Sequence, residues 1–214
     1  MVTAVVAPYL DELERPGAIA GTAVVTLAVS WIIALRRPVP VWELRLTEWI
    51  NDAPRALGSA LLPVMQLGTL AAPVLVAIAI VAFKRDWLLA GAVVATGVVT
   101  WLTAKGVKQL VARDRPLLYL PHIVVRDGDG SGLGFISGHS AVAASAAMMA
   151  IVVVPKRWRL AVVALAALAA LVGVARVVVG VHFPMDVVGG WSFGVLTGLG
   201  GLAVAGLVRS RYYC

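Results

Sequence analysis

Three short stretches of this chain carry side chains able to do chemistry together. The first is Arg176-x5-His182-x3-Asp186. Pro184 lacks an N–H and has φ preset for a first helical turn, which predicts a helix starting near Phe183. His182 then sits at the helix mouth, and Asp186, four residues on, returns to the same face. A carboxylate there can take the Nδ1 proton and leave Nε2 free as a nucleophile or a base. Arg176 closes the preceding apolar run and offers a planar fork of donors suited to phosphate. The second stretch is Ile136-Ser137-Gly138-His139-Ser140. Ser137 reads as a helix N-cap. The free N–H groups of the first turn, with Gly138 allowing close approach, make an anion site into which His139 points. The third is Lys108-x6-Arg115-Pro116, whose two cations, seven residues apart, fall on one side of a helix because seven residues are close to two turns.

Each stretch has a plainer reading when taken alone. Lys108 and Arg115 fit snorkelling charges at the end of a membrane span. Ser137 fits a cap beside an incidental histidine, and Arg176, His182 and Asp186 fit an ion pair that ties two helices. Taken together, two histidines, three cations and a helix N-terminus suit phosphoryl transfer without a metal. The cations hold non-bridging oxygens, one histidine attacks, and the other protonates the leaving alkoxide. His122, the remaining one of the three histidines, belongs to no motif. No carboxylate cluster, nucleotide-binding glycine loop or zinc pattern is readable.

The elements that must position these groups are membrane helices. The 214 residues are 61% hydrophobic and only 14% charged, where soluble domains run nearer a quarter charged. The net charge of +7 fits contact with anionic headgroups or phosphates, and equally fits ordinary positive loops on a cytoplasmic face. The single cysteine, Cys214, excludes an intrachain disulfide and a cysteine metal cluster. Residues 1–15 carry three acids and one basic residue, the wrong start for a cleaved signal peptide, and read as a short arm. Uncharged or nearly uncharged runs over 16–35, 56–83, 87–104, 136–155, 160–175 and 184–208 predict about six spans. In the second of these, Pro63 and Pro73 are expected to mark a start and a kink. Residues 38–55 mix tryptophans and aliphatics with Glu43, Arg45, Glu48 and Asp52, the pattern of a short interfacial amphipathic helix. The expected fold is therefore all-α: a polytopic helical bundle, one domain over 16–211, with its motifs confined to 108–186.

Six spans put both termini on one side, together with the short basic loops at Lys84-Arg85 and 156–159. The positive-inside rule makes that side cytoplasmic and the motif side extracytoplasmic, although Arg36, Arg37, Arg45 and Arg55 then lie outside. A cell-membrane location follows from that reading, with a membrane lipid phosphate and the bilayer as partners, no nucleic acid and no cofactor.

The order and spacing Lys108-x6-Arg115-Pro116, Ser137-Gly138-His139 and Arg176-x5-His182-x3-Asp186 resembles the type 2 phosphatidic acid phosphatase (PAP2) superfamily. That family includes integral membrane lipid phosphatases and soluble vanadium haloperoxidases. The resemblance implies that His182 is the nucleophile forming a phosphohistidine, that Asp186 orients it, and that His139 is the general acid. It implies that Lys108, Arg115 and Arg176 clamp phosphate while Ser137 and Gly138 add donors. Two positions depart from the family pattern. Ile136 stands where the family has a proline, losing a φ preset for a helix start. Ala175 stands where it has a serine, losing a hydroxyl from the phosphate site or its support. Neither change removes a charged or proton-transferring group, so altered rate or substrate preference is expected rather than a dead enzyme. A lipid phosphotransferase and a vanadate-dependent peroxidase use the same residues and are the rival activities. A structural or transport protein is the non-catalytic rival.

Overall fold

The computed structural model describes residues 9–155 and 157–212. Most of the N-terminal arm and Cys214 lie outside the described residues. Among those described, the chain forms eight α-helices: α1 (Pro16–Ala34), α2 (Val41–Asn51), α3 (Arg55–Met65), α4 (Ala71–Lys84), α5 (Trp87–Val111), α6 (Gly138–Ile151), α7 (Arg159–Val178) and α8 (Pro184–Tyr212). Helices α1, α5, α7 and α8 are each long and apolar enough to cross a membrane, and α3 with α4 makes a fifth span if the bent pair is counted as one. The predicted fourth span is the 14-residue helix α6. At 1.5 Å per residue it is about 21 Å long, short of the ~30 Å hydrocarbon core.

The α3–α4 pair is bent by 63°. Its break is a 3₁₀ turn (Gln66–Gly68) followed by Thr69 in an extended conformation. Pro73 explains why the helix cannot continue backwards. It has no N–H to give the Thr69 carbonyl, and its ring crowds the preceding turn. Pro63 lies inside α3 rather than at the start of the span. The break lets the turn fold against α6, where a side chain on Gly68 would collide with the Cβ of His139.

Helix α6 is the centre of the bundle. Ten of its residues are buried, on every face. Its most extensive partner is α8. A stripe on α8, Gly190, Gly194 and Gly198, permits the approach: a Cβ at Gly190 would meet the Ser137 carbonyl, one at Gly194 the Ala141 carbonyl, and one at Gly198 the Met148 side chain. Small residues four apart are how membrane helices approach closely where lipid supplies no hydrophobic drive. Hydroxyls add to the packing. Thr100 of α5 bonds Thr197 of α8 at 2.8 Å, and Thr26 of α1 bonds Ser192 of α8 at 2.7 Å.

Helix α2 differs from the interfacial helix expected over 38–55. Trp42 and Trp49 are exposed as expected, but the buried face consists of Glu43, Thr47 and Asn51. The polar stripe points into the protein, so the helix is amphipathic with its polar side inward. At the far end of the bundle, Tyr9 donates to Asp86 at 2.8 Å and Arg209 donates to the same carboxylate at 2.6 Å. Residues near both ends of the chain thus meet the α4–α5 loop on one side of the bundle.

The glycine stripe gives a direct test. Gly194→Val places branched carbons against a backbone carbonyl and is expected to cost about 1–3 kcal/mol or more by overpacking. A lowered unfolding temperature in detergent with reduced activity is the expected result; an unchanged melt would show that α6 and α8 are not held this closely.

Candidate active site

The three motifs converge at one end of the bundle, and each arrives by a different local device. Helix α7 ends at Val178, so Arg176 lies in its last turn. The chain then reverses at Gly180, whose φ of +80° and close approach to the Val124 carbonyl leave no room for a side chain. Pro184 opens α8 as expected, with His182 just before it. The His182 Nδ1 lies 3.4 Å from Asp186 Oδ2, a long hydrogen bond, and the same oxygen accepts the Phe183 N–H at 3.0 Å. His182 and Asp186 are almost fully buried. No hydrogen bond engages His182 Nε2 among the described residues. Burial first, then the positive charges of Lys108, Arg176 and Arg115, hold His182 well below the ordinary histidine pKa. It is therefore a neutral imidazole.

Ser137 caps α6, accepting the Ser140 N–H at 3.4 Å, and its oxygen also accepts from the Ser140 hydroxyl at 2.9 Å. The Ser137 N–H bonds the Asp186 carbonyl at 2.9 Å, which locks the N-termini of α6 and α8 side by side. His139 follows in the first turn of α6, half-buried, within the fields of Arg176, Asp127, Lys108 and Arg115. Ile136 precedes the cap and is fully buried with Phe135, Ala34, Ala104 and Val111. The position lies outside the helix, so a preset helical φ is not what this residue loses relative to a proline. Ala175 is likewise buried in an apolar cluster with Leu61, Met65 and Val178, a packing position rather than a place for a phosphate-binding hydroxyl.

Lys108 and Arg115 do not share a helix. Helix α5 ends at Val111, and Ala112 takes a left-handed conformation with φ of 47°. The following residues are extended, with Asp114 paired to Leu133. Arg115 is half-buried among the charges near His139, while Arg113, two residues earlier, is fully buried against Glu43 and Asp186. Lys108 donates to the carbonyls of Leu133 and Gly134 at 2.8 and 2.9 Å. Arg176 donates to Asp127 at 2.8 Å and to the Met65 sulfur at 2.9 Å. The Nε atoms of Arg113, Arg115, Arg126 and Arg176 are buried donors with no acceptor among the described residues.

Four residues of this neighbourhood were not legible as site residues in the sequence. Arg113 is fully buried between Glu43, at 2.5 Å, and Asp186, at 2.9 Å. It also stacks its guanidinium 4.5 Å from the Phe183 ring centre. Burial disfavours its charge, but the two carboxylates more than offset that and raise its pKa. Glu43 lies seventy residues away on α2 and Arg113 reads as a spacer within Lys108-x6-Arg115, so only the three-dimensional fold pairs them. Asp127 is the carboxylate on Arg176, and Arg126 anchors its loop through the carbonyls of Val178, Asn51 and Ala53. His122 stays outside the site, exposed and bonded to Glu48 at 2.8 Å.

Residues 86–207 match the family model of the PAP2 superfamily, and the chain belongs to that superfamily. Its fold is similar to a transmembrane PAP2-type phosphatidylglycerolphosphate phosphatase from Bacillus subtilis, with a TM-score of 0.69 at 21% identity over 88% of this chain and 94% of that one. It is similar also to LpxE from Aquifex aeolicus, with a TM-score of 0.65 at 22% identity over 74% of this chain and 93% of that one. In sequence it is 28% identical over 113 residues to an undecaprenyl-diphosphatase from Sulfolobus acidocaldarius, covering 52% of this chain and 53% of that protein. The match thus spans about half the length of that curated relative. With four to five helices able to span a bilayer and this family membership, the chain is a multi-pass integral membrane protein.

Asp127 competes with any anion for Arg176. Asp127→Asn removes that competitor, and inorganic phosphate should then inhibit about two- to fivefold more tightly, the scale of a partly exposed ion pair. Unchanged or weaker inhibition would show that Arg176 does not hold phosphate.

Proposed function

We propose that this protein hydrolyses the phosphate or diphosphate of a membrane lipid through a phosphohistidine intermediate, with residues 16–211 acting as one catalytic membrane domain. The observation that carries this reading is the meeting of two histidines with Lys108, Arg115 and Arg176 at the paired N-termini of α6 and α8. The names of its relatives support the substrate class, one acting on a polyprenyl diphosphate and another on a glycerolipid phosphate.

The proposed steps are these. Neutral His182 attacks phosphorus with its Nε2 lone pair, and the phosphorus–oxygen bond to the lipid breaks. His139, which takes up a proton as the anionic phosphate binds beside it, gives that proton to the leaving oxygen. Lys108, Arg115, Arg176 and the N–H groups of the α6 first turn, at Gly138 and beyond, stabilise the charge on the equatorial oxygens. Water, losing a proton to His139, then breaks the phosphorus–nitrogen bond and releases phosphate. Cations take the part that a metal plays in other phosphatases. Ser137 serves as the cap that orients these donors. The lipid tail stays in the bilayer while its headgroup enters from the extracytoplasmic face, the side opposite Lys84, Arg85 and Arg209. That assignment places the protein in the cell membrane, with the basic end cytoplasmic.

The two histidines are expected to fail differently. On an alkyl lipid phosphate, His139→Ala should lose roughly 10²–10⁴-fold, the worth of general acid help. On p-nitrophenyl phosphate, which has a good leaving group, it should recover part of that loss. His182→Ala should be inactive on both and never trap labelled phosphate in an acid quench. If His139→Ala is equally impaired on both esters while His182→Ala still traps phosphate, the roles are reversed.

The same reading fixes a pH profile. Because the His182 pKa is lowered, the ring stays neutral as pH falls through the ordinary value of 6.5 and gains a proton only further down. The acid limb of kcat/KM, corrected for ionisation of the ester, should therefore lie below about 6.5. A limb at or above that value would mean that the attacking group is not this buried imidazole.

A further inference from the structure

Glu43, Arg113 and Asp186 form a buried chain of charges that meets His182 on its Nδ1 side. We infer that Glu43, acting through Arg113, is a positioning residue for the nucleophile: it keeps the negative charge of Asp186 available to the histidine as His182 takes up phosphorus. The inference rests on the phosphohistidine reading above.

The argument starts from the oxygens of Asp186. Its Oδ2 faces His182 and the Phe183 N–H, and its Oδ1 accepts from Arg113 at 2.9 Å. All three charged side chains are fully buried. When Nε2 forms its bond to phosphorus, the ring still holds its Nδ1 proton and becomes a cation. A carboxylate stabilises that cation only if its own charge is uncompensated. Arg113 alone would cancel the charge of Asp186. Glu43 prevents this by pairing with both terminal nitrogens of Arg113, at 3.3 and 2.5 Å. Two carboxylates on one guanidinium leave one negative charge in excess. That excess lies next to the ring where positive charge develops.

Glu43 also fixes position. Its Oε1 accepts the Met185 N–H at 3.0 Å, in the first turn of α8 between His182 and Asp186. That N–H has no partner within the helix. One carboxylate on α2 therefore sets both the charge beside the nucleophile and the seat of the helix that carries Asp186. Glu43 is fully buried, and every bond described for it runs to Arg113, to Met185 or within α2, so it does not touch the substrate.

The test uses the full-length protein in detergent and reads phosphoenzyme formation by acid quench, with kcat and KM on p-nitrophenyl phosphate. Glu43→Gln keeps the shape and removes the charge. It should slow phosphoenzyme formation and kcat about 10–100-fold, by analogy with the outer hydrogen-bond partners of metal-ligating histidines. KM should stay within about threefold, because the phosphate cations are untouched. The double variant Glu43→Gln with Arg113→Met removes the guanidinium as well and returns the excess charge to Asp186. It should react faster than Glu43→Gln alone, an outcome that simple loss of packing would not give. Glu43→Asp, which keeps the charge, should lie between wild type and Glu43→Gln. Should Glu43→Gln be too unstable to purify, Glu43→Asp and Arg113→Lys pose the same question: both keep the charges and should stay within about tenfold of wild type, the low end of the loss expected for Glu43→Gln, and a larger loss in a folded sample of both overturns the inference. A folded Glu43→Gln with wild-type kcat overturns it, as does a folded double variant no faster than the single one. Absence of a trapped phosphoenzyme in the wild type would instead overturn the phosphohistidine reading itself.

Discussion

The arrangement of the site depends on one buried guanidinium. Arg113 is closed off from solvent together with Glu43 and Asp186. Taking such ions out of water costs roughly several kcal/mol each, offset here by the two carboxylates on the terminal nitrogens of Arg113. The three groups come from α2, from the extended segment after α5 and from the first turn of α8. Each of these elements is therefore held in register by the other two, since displacing any one leaves an unpaired buried charge. His182 is adjacent to this junction and inherits its rigidity. The inward-facing polar stripe of α2 follows from the same constraint. A short helix at the edge of a membrane bundle would otherwise turn its apolar side to the protein, but Glu43 must reach Arg113 and Asn51 must reach the Val124 and Val178 carbonyls.

Helix packing supplies the second half of the placement. The glycine stripe of α8 lies against α6, and the Ser137 N–H bonds the Asp186 carbonyl. Two helix N-termini consequently open at the same level, one carrying His139 and the other following His182. The break between α3 and α4 lets Met65 and Gly68 close the side of this mouth against Arg176 and His139. Membrane packing and site geometry are thus coupled, because the small residues that allow close helix contact also set the separation of the two histidines.

The sequence was most informative where chemistry and local geometry coincide. Pro184 marked the start of α8, Ser137 the cap of α6, and all but one of the apolar runs helices or a bent pair able to span, because a missing N–H, a capping hydroxyl and uninterrupted hydrophobicity act within a few residues. It was least informative where distance or a reversal intervened. Lys108 and Arg115 come together through the left-handed Ala112 and an extended segment rather than through helical periodicity, and nothing in the residue type of Ala112 announces that turn. Glu43 looked like one more charge on an amphipathic helix, since its partner is seventy residues away. The break in the second span was foreshadowed by Pro73, but its depth beside His139 depends on tertiary packing.

On the proposed mechanism, the charges divide about His182 in a way that neither half explains alone. Lys108, Arg115 and Arg176 bring positive charge to the ring, with the partly exposed Asp127 as a local counterion. Two carboxylates and one guanidinium meet it on the Nδ1 side. Excess negative charge on that side favours movement of electron density from Nδ1 toward the Nε2 that attacks phosphorus. The cations alone would lower the histidine's pKa but would also oppose the positive charge that the ring gains on attack. Excess negative charge alone would favour a protonated ring with no lone pair to offer. A buried imidazole between the two, neutral before attack and supported once it carries charge, meets both requirements.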